Sequence, residues 1–278
     1  MRTLIFGGKG QLGRELGRQF ATEGEVLGVD LPEVDIADNA VVAAAVERFA
    51  PDLVINAAAY TDVDGAEEDA HAAFLANETG AANVARAASG RGVSAVYYST
   101  DYVFGGTKSE PYLPEDPVHP IGVYARSKAA GEAATRAANP RHFIVRTAWL
   151  YGVGGNNFVE KILRAAASRP SLKVVDDEIG SPTYAQDLAE ATRALCRTDG
   201  YGTYHVVNAG ACSRFAFAKE IVRRAGMDVP IAPCSSTEFE TKAERPLYSV
   251  LSTEAFEART GHVLRPWEDA LEDYMKRR

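Results

Sequence analysis

Only three cysteines occur in the 278 residues, Cys196, Cys212 and Cys234, and they stand too far apart to form metal-ligand pairs. This scarcity excludes a disulfide framework, and the thiols are expected to be reduced, as in a cytoplasmic protein. No apolar run is long enough to span a bilayer. The stretch near the start, Thr3-Leu4-Ile5-Phe6, is too short for the core of a signal peptide. Positive charge is in deficit: 30 Lys and Arg face 38 Asp and Glu, a net charge of -8. That balance speaks against non-specific attachment to nucleic acid or an anionic membrane. It permits an anionic ligand, because helix N-termini and single basic side chains bind phosphate inside an acidic protein. Internal repeats and low-complexity linkers are also missing.

What is present is an ordinary globular composition, 46% hydrophobic and 24% charged, in a chain long enough to bury a core without disulfide or metal. Residues 3–6, 25–29, 52–56, 94–98 and 142–147 are short, apolar and mostly β-branched, and read as buried strands. Between them, 11–23, 39–50, 67–90 and 122–138 are rich in Ala, Glu, Arg and Leu and read as helices. Such alternation implies parallel strands with right-handed crossovers, a Rossmann-type doubly wound α/β sheet. After about residue 150 the rhythm changes, with helices expected at 157–168, 184–197, 213–226 and from Pro266 onward. Residues 1–150 therefore form the sheet unit, with room to recruit segments from 170–210, and residues 151–278 a smaller, mixed α/β lobe packed on it. The motifs that follow make the first the expected dinucleotide-binding domain and the second the expected substrate lobe.

Gly7-Gly8-Lys9-Gly10-Gln11-Leu12-Gly13 follows the first strand and opens the first helix. Gly8, Gly10 and Gly13 satisfy one glycine pattern, and Gly7, Gly10 and Gly13 its alternative. Either lets backbone N–H groups approach a pyrophosphate at the helix N-terminus. Asp30 ends the second strand about 20 residues on, placed for an adenosine ribose. It favours NADH by repelling a 2′-phosphate, whereas Lys9 offsets that repulsion, so NADPH and NADH both stay open. Asp35 and Ile36 are candidates for the adenine edge, a surface turn being the other reading. Ala57, Ala58 and Ala59 are small enough to let the dinucleotide lie against the backbone.

Tyr124-Ala125-Arg126-Ser127-Lys128 is a Tyr-x-x-x-Lys pair, preceded by Ser99-Thr100-Asp101-Tyr102 at the end of the fourth strand. On a helix the two side chains share a face. A neighbouring ammonium is expected to lower the phenol from its ordinary pKa of about 10. Tyr124 then gives a proton to a developing alkoxide. Thr100, at the C-terminal end of a strand, is placed to hold a carbonyl oxygen.

Together these features resemble the extended short-chain dehydrogenase/reductase superfamily. Gly10-Gln11-Leu12-Gly13, the run from Asn56 to Asp64, Ser99 to Phe104, Arg146 to Tyr151, Gly155 to Phe158, Gly180 to Thr183 and Arg245 to Ser249 narrow the resemblance to the dTDP-4-dehydrorhamnose reductase family. The matches run in family order over nearly the whole chain. The resemblance implies reduction of the 4-keto group of a dTDP-linked 4-keto-6-deoxysugar by NADPH or NADH. Tyr124 would be the proton donor, Lys128 its orienting partner on the nicotinamide ribose, and Thr100 the group polarising the ketone. Val63, Asp101, Tyr102, Trp149 and Asn157 would contact the substrate, and Arg245 its phosphate. Core packing is the competing role for Val63 and Trp149, and a structural arginine for Arg245.

Gly65 departs from the family, which commonly has lysine after Val63-Asp64. Some members are described with magnesium. Glu15, Glu268 and Glu272 are the acids available for it, with a solvated helix face as the other reading. A homodimer is common in the superfamily. Other nucleotide-deoxysugar reductases, and a noncatalytic regulatory subunit resembling the same family, are the competing functions. A dehydratase ranks low, because Tyr102 stands where such enzymes carry a second acid.

Overall fold

The computed structural model describes residues 1–239 and 241–278. Five strands open the chain: β1 (Arg2–Phe6), β2 (Glu25–Val29), β3 (Leu53–Asn56), β4 (Ser94–Thr100) and β5 (His142–Thr147). Four short strands follow, β6 (Leu150–Tyr151), β7 (Leu172–Val175), β8 (Ile179–Gly180) and β9 (Thr183–Tyr184), before β10 (Gly202–His205). The main sheet has the order β10-β5-β4-β3-β1-β2, every pairing parallel. This is the doubly wound α/β sheet expected.

Helices α1 (Gln11–Phe20), α2 (Asn39–Phe49), α5 (Ala81–Gly90) and α6 (Val123–Ala138) cover its faces. β1, β3, β4 and β5 are buried on both sides, as parallel strands flanked by helices must be. β2 is the exception: it is an edge strand with Glu25 and Gly28 exposed, so its apolar run did not signify full burial.

The stretch 67–90 is not one helix. It breaks into α3 (Val63–Glu68), α4 (Ala70–Phe74), a π-helical turn (Leu75–Gly80) and α5. Asp62 caps α3 through Gly65 N–H, and Asp69 caps α4 through Ala72 N–H. Each carboxylate satisfies amides that a continuing helix would have bonded.

Beyond residue 150 the chain returns to the sheet. β10 pairs with β5, and α8 (Ala185–Cys196) packs on α1 through a shared core that includes Leu16, Phe20, Leu188 and Leu195. A second core holds α7 (Phe158–Ser168), α9 (Arg214–Arg224) and α11 (Trp267–Arg277) together around Tyr151, Phe217 and Tyr274. The strands β11 (Cys212–Ser213) and β12 (Ile231–Cys234) pair with β8 and β7, and α10 (Glu254–Thr260) lies near β10. No helix among the described residues is long and apolar enough to cross a membrane.

Candidate active site

The glycine loop is built by backbone crowding. Gly7 has φ +79°, and a Cβ there would lie 2.5 Å from the amide nitrogen of Ala58. A Cβ on Gly13 would collide with the Gly7 carbonyl oxygen. No side chain caps α1 at Gly10. The first amides of that helix, Gln11, Leu12 and Gly13, therefore have no intrahelical partner and suit an anionic group. Ala57, Ala58 and Ala59 line the approach half-buried. These small groups and free donors fit the pyrophosphate of a dinucleotide.

Asp30 accepts the Lys9 amide (2.9 Å) and its neighbour Leu31 N–H (2.9 Å), which fixes its carboxylate beside the loop. The Lys9 ammonium turns to Glu33 at 2.8 Å and the Leu31 carbonyl at 3.1 Å. Asp35 is exposed and caps its own turn at Ala37 N–H. Ile36 is buried against the position of Gly80, and its carbonyl is held by Asn83.

The catalytic candidates converge at the C-terminal end of β4. Thr100 and Asp101 are buried, and Tyr102 meets Tyr124 edge to face, ring centroids 6.1 Å apart. On α6, Lys128 donates to the Tyr98 carbonyl at 2.6 Å and lies 4.2 Å over the Tyr97 ring. Burial pushes the Lys128 ammonium down to about 7, with Glu132 one turn on working against it. Tyr124 departs from expectation. Burial pushes its phenol above the ordinary range, an effect that Asp101 reinforces only when ionised, while the neighbouring Thr100 hydroxyl works the other way. The group stays protonated, which is the form a proton donor requires.

The remaining expected residues separate by role. Trp149 stands in the left-handed region at φ +45°, rare for a bulky side chain. It is clamped between Gly180, where a Cβ would come within 2.6 Å of the indole, and the Arg214 guanidinium, 3.6 Å from the ring centroid. Val63 begins α3, half-buried. Asn157 is fully engaged: it caps α7 through Glu160 N–H and donates to the Gly152 carbonyl (2.9 Å) and Gln11 Oε1 (3.2 Å). These bonds tie α7 to α1. Arg245 pairs with Asp64 at 2.7 Å, so its charge is already met. At Gly65 the space beside the backbone is taken by Asp62 Oδ2 and the Tyr60 hydroxyl, which a Cβ would meet at 2.6 and 2.8 Å; both are side-chain ends able to turn aside, so nothing in the structure explains the departure there.

Arg214 was not anticipated. It begins α9, where a cation opposes the helix dipole, and this local misfit is the signal that could have marked it. Its charge acts on Asp101 and Tyr102. Magnesium finds no support: Glu15 is buried against Arg18, and Glu272 is held by Arg224 and Lys276. Among the described residues no three His, Cys, Asp or Glu side chains gather to hold a metal ion.

The model of the RmlD substrate binding domain family matches residues 1–278. The chain belongs to that family. It is an oxidoreductase family by its named relatives. A dTDP-4-dehydrorhamnose reductase of Mycobacterium tuberculosis is 44% identical over 280 residues, covering 97% of this chain and 91% of the relative. Spore coat polysaccharide biosynthesis protein SpsK of Bacillus subtilis is 41% identical, covering 100% and 98%. The crystal structure of dTDP-4-dehydrorhamnose reductase from Bacillus anthracis in complex with NADP superposes with a TM-score of 0.96 at 40% identity, covering 100% and 99%. The RmlD fold thus carries a nicotinamide cofactor in a near relative.

Proposed function

We propose that this RmlD-family oxidoreductase reduces the 4-keto group of dTDP-4-dehydro-6-deoxy-L-mannose to give dTDP-L-rhamnose. The observation that carries it is the convergence of Thr100, Tyr124 and Lys128 beside a glycine loop with free helix amides. Kinship to reductases of that name supports the choice of sugar. Residues 1–150, with α8 and β10, serve the cofactor, and the rest forms the substrate lobe.

A bound NADPH or NADH supplies the hydride. Gln11, Leu12 and Gly13 hold its pyrophosphate with their amides, while Asp30 accepts from the adenosine ribose. Asp35 and Ile36 border the adenine. Lys128 bridges the nicotinamide ribose and the Tyr98 carbonyl. Tyr124 gives its phenolic proton to the alkoxide oxygen as carbon 4 is reduced. Thr100 steadies that oxygen by hydrogen bonding. Val63, Tyr102 and Trp149 border the sugar. Arg214, stacked on Trp149 and paired with Glu178 only at 3.4 Å, is a second cation for the diphosphate beside Arg245.

Nicotinamide oxidation measured with the purified chain and this keto-sugar tests the proposal. Tyr124→Phe should lower kcat by about 10²–10⁴-fold with cofactor affinity unchanged. Near wild-type turnover in that variant would remove Tyr124 from its role.

A further inference from the structure

Behind Thr100 lies a carboxyl group whose contacts are all inside the protein. Asp101 is 2% exposed. Its Oδ2 accepts from the Ser249 hydroxyl at 2.6 Å, and its Oδ1 lies 3.0 Å from Thr100 Oγ1. Thr100 Oγ1 also accepts the Tyr102 N–H at 3.1 Å. Ser249 is itself fixed, its own amide donating to the Ile179 carbonyl at 2.9 Å.

Thr100 has a single proton. If Asp101 is a carboxylate, that proton is drawn to Oδ1, and only lone pairs face a carbonyl oxygen in the cleft. A buried anion there also repels the negative charge that develops on substrate and then on Tyr124. If Asp101 carries a proton on Oδ1, the contacts reverse without any atom moving. Oδ1–H donates to Thr100, Ser249 donates to the carbonyl-like Oδ2, and the Thr100 proton is free for the substrate.

We propose that Asp101 works as a neutral carboxylic acid that turns the Thr100 proton toward the reacting carbonyl, with Ser249 fixing which carboxyl oxygen is protonated. Both are positioning residues acting through Thr100, and the proposal rests on the reductase function above. Burial raises the Asp101 carboxyl to about 6 against the Ser249 and Thr100 hydrogen bonds. The charged side chain facing it is Arg214 on α9, which favours the anion; Tyr124 on α6 and Tyr102 face it as neutral phenols.

The test is kcat against pH for the full chain saturated with reduced cofactor and keto-sugar. In wild type kcat should fall roughly tenfold per pH unit above the Asp101 titration. Asp101→Asn mimics the neutral acid, its NH2 donating to Thr100, and should lose that limb. The ratio of variant to wild-type kcat then climbs about tenfold per unit. Ser249→Ala removes a donor that favours the anion, so the limb should move to higher pH. A wild-type slope retained in Asp101→Asn, or a limb moved to lower pH in Ser249→Ala, overturns the proposal.

An infrared titration of the carboxyl stretch, wild type minus Asp101→Asn in the NADP-loaded chain, reads the same proton without turnover. Protonation persisting above the ordinary carboxyl range of about 4 supports the relay, and loss of the band at or below it overturns it. If the wild-type chain leaves this keto-sugar unreduced, the proposed function fails, and the infrared titration still decides the relay.

Discussion

Tyr124 and Lys128 are four residues apart on one face of α6, a spacing that makes the pair legible in the sequence. Their electrostatics were not legible. Spacing says nothing of burial, and burial governs both groups: it holds Tyr124 protonated and drives Lys128 toward its neutral form. Lys128 therefore costs stability. Its pKa is about 7 folded and about 10.4 unfolded, so the unfolded chain binds more protons between those values. The penalty is full below pH 7 and fades as pH rises toward 10. Lys128→Met should then stabilise the protein at pH 6 by a few kcal/mol and by much less at pH 9, as urea denaturation at the two pH values would report. Equal effects at both would mean that the ammonium is not desolvated. The same substitution should abolish turnover, because methionine cannot make the bridge proposed between ribose and the Tyr98 carbonyl.

At the scale of elements, α6 is anchored to β5 by a buried ion pair. Glu132 takes both Arg146 Nε and Nη2 at 2.8 Å, and both side chains are nearly inaccessible. Burial works to raise the Glu132 carboxyl, but Arg146 brings it below its ordinary value. Removing one partner strands the other charge, so Glu132→Gln should cost about 3–5 kcal/mol at neutral pH. The cost should shrink as pH falls through the folded pKa, where the wild-type carboxylate itself is lost. Denaturant midpoints across that range check both statements; a loss under about 0.5 kcal/mol would place α6 under other control. Elements with strong periodicity were readable from sequence, namely β1, β3, β4, β5 and α6. The break at Asp69 was not, since Ala-rich flanks hid one capping carboxylate. Nor was β10, where Gly202, Thr203 and His205 interrupt the apolar signal that marks a buried strand.

For the whole molecule, α8 and β10 return to the first half, so the sheet is completed by residues that lie after the loop at 152–157. The C-terminal part closes back in turn: Arg245 reaches Asp64 on α3, and Ser249 reaches Asp101 at the end of β4. These long-range contacts explain why the site residues could be named singly but not sorted. Asn157 and Arg245 carry motif positions yet spend their polar atoms on the fold, whereas Arg214 lies outside every motif and brings its charge to bear on Asp101 and Tyr102. On the proposed function, cofactor and sugar would meet between two halves of one interleaved chain. The most direct test of that account is transfer of label from nicotinamide deuterated at its carbon 4. With dTDP-4-dehydro-6-deoxy-L-mannose, deuterium should appear at carbon 4 of the product sugar and nowhere else. Oxidation without label in the sugar, or no oxidation at all, would contradict it.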